Sequence, residues 1–282
     1  MRCWFIILLV CVSCKTYAQF EKKLEPAILE CRYIFTTMKD TVTGTKEKDE
    51  ITVLRIGNNV SQFFSEIKYS TDSLVSTPEG SRLWGQRMID AIGRGDIGNL
   101  PGRSSFKDYI YKNHPHGKLT NYTSDGLMTT YQCVEDYETQ KWDIKDSTKQ
   151  VVGYSCQLAS CTFRGREYFA WFTLDIPISD GPWKLNGLPG LILEAYDSAD
   201  HYHFTAVGVS QTSLKPVTLY NCSKKYEKAT RIELLKEKSS ILFGKRNVKQ
   251  ELKDISGIEF GSSTPNPQKR KYAYDFMERD YR

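Results

Sequence analysis

Four histidines stand in two pairs spaced two residues apart, His114/His116 and His201/His203. On a strand, residues two apart face the same side, so either pair presents two imidazoles together. A zinc or copper site needs three or four ligands, and Asp197 and Asp200 precede the second pair closely enough to extend it. Two histidines on a hairpin are more often plain surface groups, so no metal is expected and His201/His203 stand as a minor candidate. The carboxylate pairs Glu135/Asp136 and Asp175/Asp180 offer acid–base groups, but such catalysis needs a geometry and shifted pKa values that spacing does not supply. The chain contains no Gly-x-Ser-x-Gly elbow, glycine-rich phosphate loop or HExxH, the compact patterns that mark nucleophilic, phosphoryl and metalloprotease chemistry. The expectation is a protein without enzymatic activity or cofactor. A hydrolase acting on a glycan or peptide is the alternative.

Arg164 and Arg166 flank Gly165 beside Tyr168 and Trp171. With Trp183 they form a candidate recognition patch for a carboxylate or a sugar, because arginine offers paired donors and tryptophan a stacking face. The plainer reading is a charged hairpin turn leading into a core strand with Trp171 inward. Of eight cysteines, Cys3, Cys11 and Cys14 fall in the N-terminal leader, and Cys31, Cys133, Cys156, Cys161 and Cys222 remain. Disulfides persist in exported proteins, and an odd count leaves at least one thiol outside any pairing within the chain. Cys133 with Cys156 is the favoured bridge, since both lie in strand-like runs of one meander.

The elements that must position these groups begin after a leader. Arg2, the apolar run Trp4 to Val12 and the small residues around Thr16-Tyr17-Ala18 read as a signal peptide over 1–18. Lipidation at Cys14 is the other route. No later run reaches the roughly 20 apolar residues of a membrane helix. Residues 27–38, 50–56 and 60–65 alternate as strands, with Gly57-Asn58-Asn59 as a hairpin turn. Residues 78–112 break the pattern, with a short helix expected over 82–92. Strands resume at 128–134, 140–144, 151–158, 159–163 and 168–175, with Lys145 to Lys149 as a turn. Then comes the most distinctive segment, Gly181-Pro182-Trp183 through Gly187-Leu188-Pro189-Gly190-Leu191-Ile192. Pro189 and Gly190 suit the central positions of a type II turn, where the glycine takes a positive φ. Leu191 to Tyr196 is then a buried strand, and 201–209 another. The segment's glycines and prolines are explained by backbone geometry.

The net charge is +5, and from Lys215 onward sixteen Lys plus Arg face nine Asp plus Glu. Residues 216–282 are therefore expected as a basic extension, partly helical from Ser223, with a linker at 262–267 and a polar tail. In an exported chain this basicity does not point to nucleic acid.

Trp142-Asp143-Ile144, Val152 to Cys156, Phe163 to Arg166, Ala170 to Thr173, Ile176-Pro177, Gly181-Pro182 and Gly187 to Ile192 occur in order. This series resembles the GLPGLI family of exported Bacteroidetes proteins over roughly residues 25–210. Phe172 stands where that family commonly has tyrosine, and Asn266-Pro267 lacks the acidic ending often seen after such a pair. The resemblance implies an envelope protein without an established activity, in the periplasm or at the outer-membrane surface. It also implies a link to TonB-dependent outer-membrane receptors and kinship with the bowl-shaped, non-catalytic N-terminal domain of a bacterial peptide N-glycosidase. The expected fold is mainly β: one curved, twisted antiparallel sheet over 19–215, like a bowl or half-barrel. A short helical excursion interrupts it and the basic extension follows. The expected role is non-enzymatic binding of an apolar or amphiphilic ligand on the concave face, or an accessory part in transport; a structural surface protein is a further alternative.

Overall fold

The structure, a computed structural model, describes residues 21–96, 100–124, 129–220, 225–242 and 276–280. The expected leader, Cys14, Cys222, Ser223 and the linker at 262–267 lie outside the described residues.

Alternation builds the strands. β2 (Ala27–Asp40) buries Leu29, Cys31, Tyr33 and Phe35 on one face, the period of two that a pleated strand imposes. From β2 an antiparallel meander runs through β4 (Glu50–Gly57), β5 (Ser61–Ser65), β6 (Tyr109–Lys112), β7 (Lys118–Ser124) and β8 (Thr130–Asp136). A second meander comprises β9 (Asp143–Val151), β10 (Tyr154–Phe163), β11 (Arg166–Thr173), β12 (Leu191–Asp197) and β13 (Tyr202–Ser210). It returns to pair β13 with β2. Short β3 (Thr45–Lys46) joins β2, and β15 (Glu227–Lys228) adds in parallel to β8. β1 (Glu21–Glu25) and β14 (Val217–Tyr220) form a separate ribbon.

Among the described residues the sheet does not close into a barrel, but it curls strongly. Laid flat, β8 and β11 would lie eight strand spacings apart, roughly 38 Å. Yet Glu135 on β8 meets Arg164, in the turn before β11, at 2.7 Å. Register irregularities in the pairs β2·β4, β13·β2, β11·β12 and β10·β9 supply the local bends. The concave face is filled by one large apolar cluster, in which strand residues such as Tyr33, Phe63, Phe172 and Phe204 pack on Ile176, Trp183, Leu185 and Leu188. On the convex side of β4 to β6, Val53, Phe64, Tyr109 and Tyr111 pack with Tyr220 of the ribbon.

Several expectations are corrected. The excursion holds two helices, α1 (Glu66–Val75) and α2 (Pro78–Gly93), where one over 82–92 was expected. Ser65 and Thr77 cap them, and Pro78 occupies the first turn of α2, where its missing N–H has no partner to lose. The excursion also ends earlier, because β6 lies inside the range assigned to it. Lys145 to Lys149 is the middle of β9, not a turn; as the outermost strand of the path β9 is mostly exposed, so its composition is polar. The helix α3 spans Arg231–Leu242, with Thr230 just before it. Thr230 and Glu233 bond reciprocally, Glu233 N–H to Thr230 Oγ1 at 3.3 Å and Thr230 N–H to Glu233 Oε2 at 2.8 Å, a capping box. The tail returns to the core: Met277 packs against the apolar cluster and Glu278 is buried.

Candidate functional site

The segment Gly181 to Ile192 crosses the concave face almost wholly buried. A buried loop must satisfy its carbonyls from elsewhere, and here side chains do it. Lys112 Nζ donates to the carbonyls of Gly181 at 2.7 Å and Leu185 at 3.0 Å, and to Asp180 Oδ1 at 2.5 Å. Trp142 donates to the Asn186 carbonyl at 2.7 Å and the Tyr33 hydroxyl to that of Ile192 at 2.7 Å. Pro182, Leu188, Leu191 and Ile192 are buried, while Pro189 is exposed at the bend. The type II turn is not what Gly190 serves: the positive φ, +93°, belongs to Gly187. A Cβ on Gly190 would stand 1.9 Å from the Thr173 carbonyl oxygen, so glycine is required there by close backbone approach. Trp183 also takes a positive φ, +54°, which a bulky residue adopts only when its surroundings impose it.

The four residues of the expected recognition patch are not brought together. Arg166 is buried, donating to Asp197 Oδ2 at 2.5 Å and to the Phe276 carbonyl at 2.7 Å. Trp183 is buried against Phe163 and Tyr168. The pleat turns Trp171 to the opposite face of β11, half-buried under Lys149. Arg164 holds Glu135 and approaches Asp280 at 3.9 Å. It belongs to a balanced network in which Lys184 pairs with Glu135 and with Glu278 at 2.6 Å, and Arg231 with Glu278 at 2.8 Å. Burial alone would lower the Lys184 pKa and raise that of Glu278, but their mutual attraction wins in both cases. This network clasps the tail to the bowl, as does the Tyr168 hydroxyl on the Met277 carbonyl at 2.7 Å.

The expected Cys133–Cys156 disulfide is absent: both thiols are free and buried, as are those of Cys31 and Cys161. Cys133 sits on β8 and Cys156 on β10, near opposite ends of the strand order, so the meander that was to join them does not. Burial pushes both thiols up to about 11, away from nucleophilic use. His203 places Nδ1 2.8 Å from Asp200 and Nε2 3.1 Å from Glu194. Asp197 is taken by Arg166 and by the N–H groups of His201 and Tyr202. Among the described residues no group of three His, Cys, Asp or Glu could hold a metal.

The feature that sequence reasoning missed is a cavity of about 980 Å³ at the mouth of the bowl, the upper end of the range for ligand pockets. Its apolar lining comes from Phe35 and Tyr202 on the sheet, Trp84 and Met88 on α2, Phe106 on the loop before β6, and Leu235 on α3. One residue positions that loop. Glu50, buried on β4, accepts from the Phe106 N–H at 2.6 Å and the Ser105 N–H at 3.1 Å; burial raises its pKa although these bonds oppose the shift. Five lining groups carry a buried polar atom without a hydrogen bond: Thr37 Oγ1, Trp84 Nε1, Ser105 Oγ, Asp108 Oδ1 and Asn121 Oδ1. Native interiors rarely leave such groups unmet.

A family model described as "Protein of unknown function (Porph_ging)" matches residues 164–194. That span carries Arg164, Arg166, Tyr168 and Lys184 of the clasp as well as the buried crossing. No curated protein matches the sequence. Two similar solved structures are titled "Structure of PNGF-II in P21 space group" and "Structure of PNGF-II in C2 space group". Each is 11% identical over 76% of this chain, with a TM-score of 0.48. This chain covers 33% of the length of those chains.

Proposed function

We propose that this chain is an exported, non-enzymatic binding protein of the cell envelope, and that its cavity holds an apolar or amphiphilic ligand. The observation that carries the reading is the cavity itself: about 980 Å³, lined by aromatic and aliphatic side chains beside ten charged ones, with orphaned polar atoms of Thr37, Trp84, Ser105, Asp108 and Asn121 in its walls. Apolar surface together with placed polar groups suits an amphiphilic small molecule.

Three of the four lining carboxylates are tied to close partners; the fourth, Asp108, lies 3.7 Å from Lys238 with no hydrogen bond on Oδ1. Asp72 accepts from Lys68 at 2.7 Å and from the Tyr109 hydroxyl at 2.9 Å. Glu47 is held by Arg103 and Glu278 by Lys184 and Arg231. Carboxylates committed in this way are poor candidates for exchanging protons with a substrate. The ordered motifs that resemble the GLPGLI family support export and, as partner, a TonB-dependent outer-membrane receptor.

Native mass spectrometry of freshly purified protein tests the reading. A co-purifying apolar or amphiphilic molecule is expected, and it is expected to be lost when Leu235→Trp and Met88→Trp fill the cavity. A clean unliganded mass, together with failure to take up any apolar probe, overturns it.

A further inference from the structure

Residues 276–280 belong to no strand or helix, yet they build part of the cavity wall: Phe276, Met277 and Glu278 line it. Their backbone is held from outside. Arg166 Nε donates to the Phe276 carbonyl and the Tyr168 hydroxyl to the Met277 carbonyl, each at 2.7 Å. The Arg279 N–H donates to the Arg164 carbonyl at 2.7 Å. Two carboxylates complete the fastening. Lys184 Nζ donates to Glu278 Oε1 at 2.6 Å and Arg231 to Glu278 Oε2 at 2.8 Å. Arg231 also grips both oxygens of Asp280, at 2.6 and 2.8 Å.

Two features make this part of the wall the one that can open. First, it joins no sheet ladder and no helix. Such segments open at lower free energy than the strands and helices around them. Its outer end meets water, the Asp280 side chain being 33% exposed against 6% for Glu278. Second, release strands no cation. Lys184, Arg164 and Arg231 all also contact Glu135 on β8, which stays behind when the segment leaves. Removing one partner of a buried pair is costly chiefly because it leaves a charge uncompensated, and here Glu135 compensates what remains.

We propose that residues 276–280 are a strap that gates the cavity, so that a ligand enters when the strap lets go and is enclosed when it refastens. The inference rests on the cavity being a ligand site and names how access to that site is controlled. Arg231 couples the strap to α3, whose Leu234 and Leu235 line the same cavity, so the strap and the start of the helix are fastened together.

The test follows uptake of N-phenyl-1-naphthylamine by the full chain in stopped-flow fluorescence. A gated site gives an uptake rate that levels off as the probe concentration rises, because opening then limits it. Asp280 and Tyr168 hold the strap without lining the cavity. Asp280→Asn and Tyr168→Phe should therefore each raise the plateau, by about fivefold, the worth of one partly exposed ion pair or one hydrogen bond. Either variant alone decides, provided circular dichroism shows it folded. Arg32→Gln, which removes a surface pair with Glu66, should leave the plateau unchanged. A rate that stays proportional to probe concentration, a plateau that neither strap variant moves, or one that Arg32→Gln raises equally, overturns the strap while the cavity reading stands. Absence of any saturable uptake overturns both.

Discussion

Lys112 Nζ lies 2.5 Å from Asp180 Oδ1, with the two side chains 2% and 7% exposed. This pair joins the middle of one meander to the buried crossing that carries the most distinctive residues of the sequence. Desolvation lowers the Lys112 pKa despite Asp180, so the pair is held by geometry and by the two carbonyls that Lys112 also serves. Breaking a buried pair by removing one partner costs about 3–5 kcal/mol. Asp180→Asn is therefore expected to lower stability by that amount in urea denaturation. A loss below about 1 kcal/mol, the worth of a surface pair, would contradict the role given to it.

Gly190 and Gly85 make opposite predictions from the same substitution. At Gly190 a Cβ meets the Thr173 carbonyl oxygen at 1.9 Å, whereas at Gly85, within α2, nothing lies within 4 Å. Gly190→Ala should cost more than about 4 kcal/mol, a loss reserved for steric or core failures, and reduce soluble yield. Gly85→Ala should stabilise by up to about 1 kcal/mol. Thermal melts of the two variants check this, and similar values for both would refute the assigned reason for Gly190.

His203 gives a pH signature. Burial would lower its pKa, but its bonds to Glu194 and Asp200 raise it above 6.5, and the Glu194 pKa is lowered in return. A raised histidine contributes stability that is complete below the unfolded value and is lost as pH rises through the folded one. Glu194 contributes above its unfolded value and loses that contribution as pH falls through its lowered one. The stability gap between wild type and His203→Gln should thus be widest near pH 6 and close toward pH 9. A gap independent of pH would show that the ring is merely packed.

How much of this was legible in the sequence depended on periodicity. β2, β4, β12 and β13 bury alternate or continuous apolar residues, so their pattern is visible locally. α1 was hidden because the buried residue it presents is Asp72 rather than an apolar stripe, and β9 because an exposed strand of polar residues resembles a turn. The role of Gly187 to Ile192 as a folding element was readable, but the clash at Gly190 was not, since Thr173 approaches it only through tertiary packing. The cavity was unreadable for the same reason: Glu50, Lys107 and Leu235 share no local motif, and the fold brings their segments to one mouth.

The most direct measurement is a fluorescence titration of N-phenyl-1-naphthylamine into wild type and into the variant carrying Leu235→Trp and Met88→Trp. A cavity that serves as the ligand site requires saturable one-to-one uptake by wild type and at least a tenfold loss, about 1.4 kcal/mol, in a variant that remains folded by circular dichroism. No saturable uptake by wild type, or equal uptake by the filled variant, would contradict the account.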